Sequence, residues 1–166
     1  MTDARRLPTA QYVRFASFRE YEDRFDALIP MALSAIRVFE RRLSARHNSR
    51  ERSTLLREFL RGDPKRELLV VVHEAEPLAR DCPRLVQLAL DHHPQVKIRK
   101  TLAAARQAHD PCMVVDFSHY LHRFHYASVR AAQGLDDLLG SRQLIDRYGE
   151  LWEASAPVRY GAPAGL

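Results

Sequence analysis

Residues 66–74, RELLVVVHE, form the clearest predicted β-strand of the chain. Their centre, LLVVV at 68–72, is apolar throughout but far shorter than the roughly 20 apolar residues that a membrane-spanning helix needs. An uninterrupted apolar run of strand length is typical of a strand buried on both faces, as in parallel sheets that helices cover from both sides. The stretch therefore predicts an α/β fold.

Strand-like and helical patterns alternate on both sides of this stretch. Further predicted strands are QYVRFAS at 11–17, at a sheet edge, IRVFE at 36–40, QVKIRKT at 95–101, PCMVVDF at 111–117 and HYLHRFHY at 119–126. The last of these should pair back on the strand before it, and the polar segment 127–137 is predicted to be a loop. The alternation predicts an α/β sandwich with a mixed, mostly parallel sheet flanked by helices.

Helices are predicted between these strands and after the last of them. Ser17 and Glu20 have the spacing of a capping box, which opens the first helix. Apolar residues then recur at helical spacing until Pro30, which should end that helix. Later helices are expected after Asn48 or Ser49, from Pro83 onward, and along a final apolar face of Leu144, Ile145, Tyr148, Leu151 and Trp152.

The composition is that of one globular domain. The 166 residues are 46% hydrophobic and 28% charged, so the chain can bury a core without disulfides or a structural metal. We expect a single domain at 11–156 with flexible tails at 1–10 and 157–166. The net charge of +5 comes almost entirely from arginine and favours anionic partners, with Arg99 and Lys100 as one basic cluster.

Two features predict a cytoplasmic location. The first 16 residues contain no apolar run of the length that a signal peptide requires. Cys82 and Cys112 lie far apart and form no CxxC pair, which is the pattern of free thiols in a reducing compartment.

Histidines are the main candidates for site chemistry, since the sequence has no glycine-rich phosphate loop and no GxSxG nucleophile motif. On a helix, His119, His122 and His125 would gather into a metal site. The interleaved aromatic residues favour a strand instead, on which His122 points away from the other two. We therefore expect no metal and no cofactor. Structural roles are expected for His73, His92 and His93.

The segment HDPCMVVD at 109–116 resembles the motif of the phospholipase D superfamily, H-x-K-x4-D. His109 and Asp116 stand at the spacing of that motif, and Pro111 occupies the position of its lysine. The resemblance implies that in active members the histidine attacks phosphorus while the lysine holds the phosphoryl oxygens, whose charge must be stabilised in the transition state. Because Pro111 has no charge and no side-chain donor, that phosphate clamp is missing here.

A wider resemblance covers about residues 10–156. The blocks CPRLVQLAL, YLHRFHYASVRAAQGLDD and SRQLIDRYGELWEAS are similar to a bacterial domain of unknown function, a degenerate phospholipase-D-like unit. The resemblance implies a phospholipase-D-like α/β sandwich and no established activity. Because the chain carries one motif, a two-motif active site would require a symmetric homodimer.

Three functions stay open from the sequence. The preferred hypothesis is a non-catalytic domain that binds a partner protein or an anionic, phosphate-containing ligand in the former active-site cleft. The expected ligand contacts are His109, Arg123 and His125. The first alternative is a divergent phosphodiesterase or nuclease, with His109 as nucleophile and Asp116 orienting it. The second is a basic nucleic-acid-binding module.

Overall fold

Eight strands form one sheet in the computed structural model of the protein, which describes residues 8–160. The strands are β1 (Gln11–Ala16), β2 (Ala35–Arg42), β3 (Glu67–Glu74), β4 (Val96–Thr101), β5 (Cys112–Val115), β6 (His119–Arg123), β7 (Arg130–Leu135) and β8 (Ser155–Pro157). Their order across the sheet is β1-β7-β6-β5-β2-β3-β4-β8. The predicted α/β sandwich with a mixed sheet is confirmed.

The parallel part of the sheet is smaller than predicted. Only β2, β3 and β4 run parallel to one another, and every other neighbouring pair is antiparallel. The physical reason is the short connections between β5, β6 and β7, because short turns join only antiparallel neighbours. The predicted mostly parallel sheet is therefore corrected to a parallel centre with antiparallel flanks.

Helices cover both faces of the sheet. They are α1 (Phe18–Leu28), α2 (Arg50–Gly62), the short α3 (Leu78–Asp81), α4 (Pro83–Asp91) and α5 (Leu138–Glu153). We call the face under α1, α2 and α4 the first face, and the face under α5 the second face. Ser17 caps α1 by accepting a hydrogen bond from the Glu20 amide, and Ser49 caps α2 through the Arg52 amide.

The stretch 66–74 is buried as its sequence predicts. Along β3, Leu68, Val70 and Val72 belong to the core of the first face, while Val71 belongs to the core of the second. β3 lies between β2 and β4, so both of its edges are also paired. Burial on both faces and both edges explains why no polar residue interrupts this run.

The predicted loop at 127–137 is wrong for most of its length. Residues Arg130–Leu135 form β7, which pairs with both β1 and β6. Ala131, Ala132 and Gly134 are buried in it, although small residues give no strand signal of their own. β6 also ends at Arg123 rather than at residue 126, because the chain turns there to enter β7.

Part of the predicted C-terminal tail, residues Pro157, Val158 and Tyr160, contacts the sheet and the core. Pro157 pairs with Arg99 in the sheet, and the Val158 amide donates to the Ile98 carbonyl at 2.9 Å. Val158 and Tyr160 pack against the core of the first face. The rest of the two predicted tails, 1–7 and 161–166, lies outside the described residues. Within 8–160, no helix has the length and apolarity to cross a membrane.

Candidate functional site

One edge of the sheet gathers most of the predicted site residues. The parallel strands β2, β3 and β4 all end there, and we call it the carboxyl edge. Because β5 is antiparallel to β2, and β6 is antiparallel to β5, the residues before β5 and after β6 lie at the same edge. His109 and His125 therefore meet although 16 positions separate them. Such edges are where α/β sheets place their ligands.

His109 and His125 form a pair of adjacent imidazole rings. Their centroids are 5.1 Å apart, and the two ring planes are inclined by 32°. The Tyr126 amide donates to the His109 carbonyl at 2.7 Å, which fixes the β6–β7 loop against the segment before β5. The Ala127 amide donates to Nδ1 of His125 at 3.0 Å, so in neutral His125 the proton is on Nε2. We call these two residues the histidine pair.

An open groove runs beside His109. Its volume is about 700 Å³, and it lies between the segment 104–109 and α5. Small residues such as Ala105 and Ala108 form one wall, and the helix contributes Gln143, Asp146, Arg147 and Glu150. The groove therefore has space for a ligand next to the histidine pair.

Asp110 anchors the structure behind the pair. Its carboxylate is buried, accepts a hydrogen bond from Nε2 of His122 at 2.8 Å and forms an ion pair with Arg147 of α5. Burial raises the pKa of Asp110, but the His122 hydrogen bond and the Arg147 charge together hold that pKa below its ordinary value. Sequence reasoning missed this cluster, because 37 positions separate Asp110 from Arg147 and no local spacing indicates their contact.

The geometry does not support the predicted contact between Arg123 and a ligand. The Arg123 side chain is only 12% exposed and lies 3.7 Å from the buried carboxylate of Glu40. Its Nη2 donates to the Tyr126 carbonyl at 3.1 Å, and its guanidinium lies over the rings of Phe18 and Tyr21. Arg123 therefore positions the β6–β7 loop from inside the protein.

Asp116 lies at the opposite end of β5 from His109, so the expectation that it orients His109 is wrong. Its carboxylate accepts hydrogen bonds from the amides of Leu33, Ser34 and Ala35 and from the Ser34 hydroxyl, at 2.8–3.0 Å. Burial raises the pKa of Asp116, but these bonds outweigh it and lower the pKa. Its φ is 52°, a left-handed conformation that aspartate tolerates better than most residues. Asp116 holds the turn before β2.

Pro111, in the position of the motif lysine, is part of the packed interior. Its side chain is buried, and its carbonyl accepts a hydrogen bond from the Arg123 amide at 2.9 Å. The position therefore serves the pairing of β5 with β6, and no cation stands two residues after His109.

The three histidines that a helix would have gathered lie apart. His119 accepts the Asp136 amide at one end of β6, His122 binds Asp110, and His125 joins His109. Within residues 8–160, no group of three side chains could hold a metal ion.

The remaining candidates have structural contacts. Nδ1 of His73 lies 2.6 Å from the Thr101 hydroxyl, and its Nε2 lies 2.6 Å from the Ala108 carbonyl. Arg99 donates to the Ser155 hydroxyl on the second face, while Lys100 pairs with Glu76. The predicted basic cluster is thus divided between different partners.

Solved structures share this fold at low sequence identity. Nuc from Salmonella typhimurium, a phospholipase D family member, is 14% identical with a TM-score of 0.63, over 92% of this chain and 99% of its own. NucT from Helicobacter pylori is 12% identical with a TM-score of 0.62, over 90% of this chain and 100% of its own. TrmBL2, an archaeal chromatin protein with a novel mode of DNA binding, is 10% identical with a TM-score of 0.66, over 95% of this chain and 56% of its own. The predicted phospholipase-D-like fold is confirmed, and at these identities the likeness concerns the fold alone.

The sequence of the chain matches a known protein family. The search of curated proteins returns no match. One family model matches residues 17–160, which include α1, the histidine pair and all of α5. The chain therefore belongs to the family described as Domain of unknown function (DUF7931).

Proposed function

We propose that this chain is a non-catalytic phospholipase-D-like domain that binds a phosphate-bearing ligand at the carboxyl edge. The observation that carries the proposal is the histidine pair, whose ring centroids lie 5.1 Å apart and whose His109 lines an open groove. Each imidazole offers at least one N–H donor, and a protonated ring offers two with a positive charge. Charge-assisted hydrogen bonds from such rings suit a phosphate oxygen.

The surroundings of the pair favour binding over turnover. Phosphoryl transfer needs fixed positive charge on the oxygens that become more negative in the transition state. Pro111 supplies none, and the guanidinium of Arg123 faces Glu40 inside the protein. Arg147 is tied to Asp110 by an ion pair. A ligand at His109 would thus be held without the cation that drives its cleavage.

The groove indicates that the ligand extends beyond its phosphate. With about 700 Å³ next to His109, it has space for an organic group on the ester side of a phosphate. Alanines on one wall would contact an apolar part, and Gln143 could donate to a polar part. A phosphate monoester should therefore bind more tightly than inorganic phosphate.

Ring resonances of the histidines, followed by nuclear magnetic resonance, test this proposal. Inorganic phosphate and phenyl phosphate would be titrated at constant ionic strength into wild type, His109→Ala and His125→Ala. We expect shifts at His109 and His125, saturation at lower concentration with phenyl phosphate, and weaker binding in both variants. His93→Ala, which removes an exposed histidine away from the carboxyl edge, should bind like wild type. Absence of shifts, or equal shifts at His93, would refute the site.

The same pair supports a second candidate function, phosphodiester hydrolysis. His109 could attack phosphorus while His125, in its protonated form, gives a proton to the leaving oxygen, so that one chain supplies both imidazoles. Water would then break the bond between phosphorus and His109 and return a proton to His125. This candidate still lacks a cation two residues after His109. The alternative in which two copies of the single motif form one active site requires a homodimer, for which light scattering would give a mass of twice 19.1 kDa.

A further inference from the structure

A corner of the second face is left open beside α5. The core under α5 draws its buried strand residues from β2, β3, β5 and β6, and among the described residues it includes none from β1 or β7. Side chains of β1 and β7 on this face therefore lie outside the packing of the helix. Tyr12 is 53% exposed there, and both Arg14 and Arg130 are exposed.

Two rings and two guanidinium groups share this corner. The Arg14 guanidinium lies 6.0 Å from the centroid of Tyr12 and 5.9 Å from that of Phe124. The Phe124 amide donates to the Arg130 carbonyl at 3.1 Å, which places those two residues side by side. An open groove of about 690 Å³ lies among Arg14, Phe124 and Arg130. We call Tyr12, Arg14, Phe124 and Arg130 the strand platform.

Among the described residues, no acidic neighbour neutralises the charges of the strand platform. Within residues 8–160, neither Arg14 nor Arg130 has a carboxylate within 4.0 Å. Less exposed arginines of the chain, such as Arg24, Arg52 and Arg99, pair with acids or carbonyls. The positive charge of Arg14 and Arg130 faces solvent beside aromatic rings on an open part of the sheet.

We propose that the strand platform binds single-stranded nucleic acid. Aromatic rings stack on bases without regard to sequence, and arginines contact the phosphates between them. An open sheet face can present its rings to the splayed bases of a single strand, whereas a duplex keeps its bases stacked and paired inside. An acidic polypeptide would satisfy the arginines but would leave Phe124 and Tyr12 without a stacking partner. Single strands are therefore the polyanion that uses all four side chains.

The strand platform shares no side chain with the histidine pair, although Phe124 directly precedes His125. Tyr12, Arg14 and Arg130 lie on β1 and β7, whereas His109 and His125 lie in the segments before β5 and after β6. The two proposals can therefore fail separately. Comparing His109→Ala with the platform variants in the same assay shows which site the oligonucleotide uses.

Fluorescence anisotropy of a labelled single-stranded oligonucleotide tests the strand platform. We expect binding to wild type that weakens roughly sevenfold between 50 and 200 mM salt, the change that about two phosphate contacts produce. The double change Arg14→Gln with Arg130→Gln should remove most of this salt dependence. Phe124→Leu should weaken binding about fivefold or more, because base stacking is lost, and should leave the salt dependence unchanged.

Controls separate this site from general charge effects. Arg61→Gln removes an exposed arginine from α2, which covers the first face, and should bind like wild type. Circular dichroism would show that each variant is folded. The proposal is overturned if no binding occurs at 50 mM salt, if Arg61→Gln weakens binding as much as the double change does, or if duplex or polyglutamate competes equally well. Loss of binding in His109→Ala with none in Phe124→Leu would assign the oligonucleotide to the carboxyl edge instead.

Discussion

Single polar residues at the two ends of β5 have different tasks. At the carboxyl edge, buried Asp110 joins β6 to α5 through His122 and Arg147 and so supports the exposed His109 beside it. At the other end, the Asp116 carboxylate accepts four hydrogen bonds from residues 33–35. The sequence spacing of His109 and Asp116 is that of a catalytic motif, but the structure divides the two residues between a candidate site and a structural turn.

Asp116 should matter for stability and not for ligand binding. Asp116→Ala leaves three amides and a hydroxyl without their acceptor, so we expect the free energy of unfolding to fall by about 1–3 kcal/mol. Urea unfolding measures this change, and phosphate binding at His109 should be unaffected. A loss of binding with unchanged stability would contradict the structural role.

The stability that Asp116 provides should depend on pH. Its pKa is lowered from an ordinary value of 3.8, so its contribution is complete above that value and is lost as pH falls through the lowered pKa. Asp116→Asn should therefore lose less stability than wild type between about pH 5 and pH 1, the range over which a carboxylate with a lowered pKa loses its contribution. Asp146→Asn, at an exposed carboxylate of α5, is the matched control and should follow wild type.

Secondary-structure elements differ in how well their own sequences predict them. β3 and α2 carry their signals locally, as an apolar run and as a serine cap before an amphipathic helix. β7 carries none, because its small residues are selected by their neighbours. Gly134 lies opposite Tyr120 in the sheet, and the Tyr120 ring covers the space that a Cβ at Gly134 would occupy. Tyr120 also donates to Asp137, the cap of α5.

A methyl group at Gly134 should disturb the junction of β6, β7 and α5. In Gly134→Ala the Tyr120 ring must move and give up its bond to Asp137, so we expect a loss of about 1–3 kcal/mol in unfolding free energy. Gly149→Ala is the matched control, because its Cβ meets nothing within 4 Å in the middle of α5. It should raise stability by up to about 1 kcal/mol. Equal effects of the two changes would show that Tyr120 does not depend on Gly134.

At the scale of the whole molecule, strand order decides which residues meet. The sequence predicts the α/β sandwich and identifies His109 and His125 as candidate ligand contacts. The resemblance of 109–116 points to the phospholipase-D-like fold that the solved structures share. Neither predicts that His125 comes to His109, because that contact requires β6 to end at Arg123 and to lie next to β5. The involvement of Arg123 with Glu40 is equally non-local. Long-range pairing thus determines the site, while local patterns determine its parts.

The proposed function requires this phospholipase-D-like sheet to bind phosphate without cleaving its esters. Hydrolysis of bis(p-nitrophenyl) phosphate by purified wild type, beside His109→Ala, tests it most directly. We predict that both proteins release p-nitrophenol at the rate of buffer alone, because no cation two residues after His109 stabilises the transition state. Turnover by wild type that disappears in His109→Ala would contradict the claim and would make His109 a nucleophile despite Pro111.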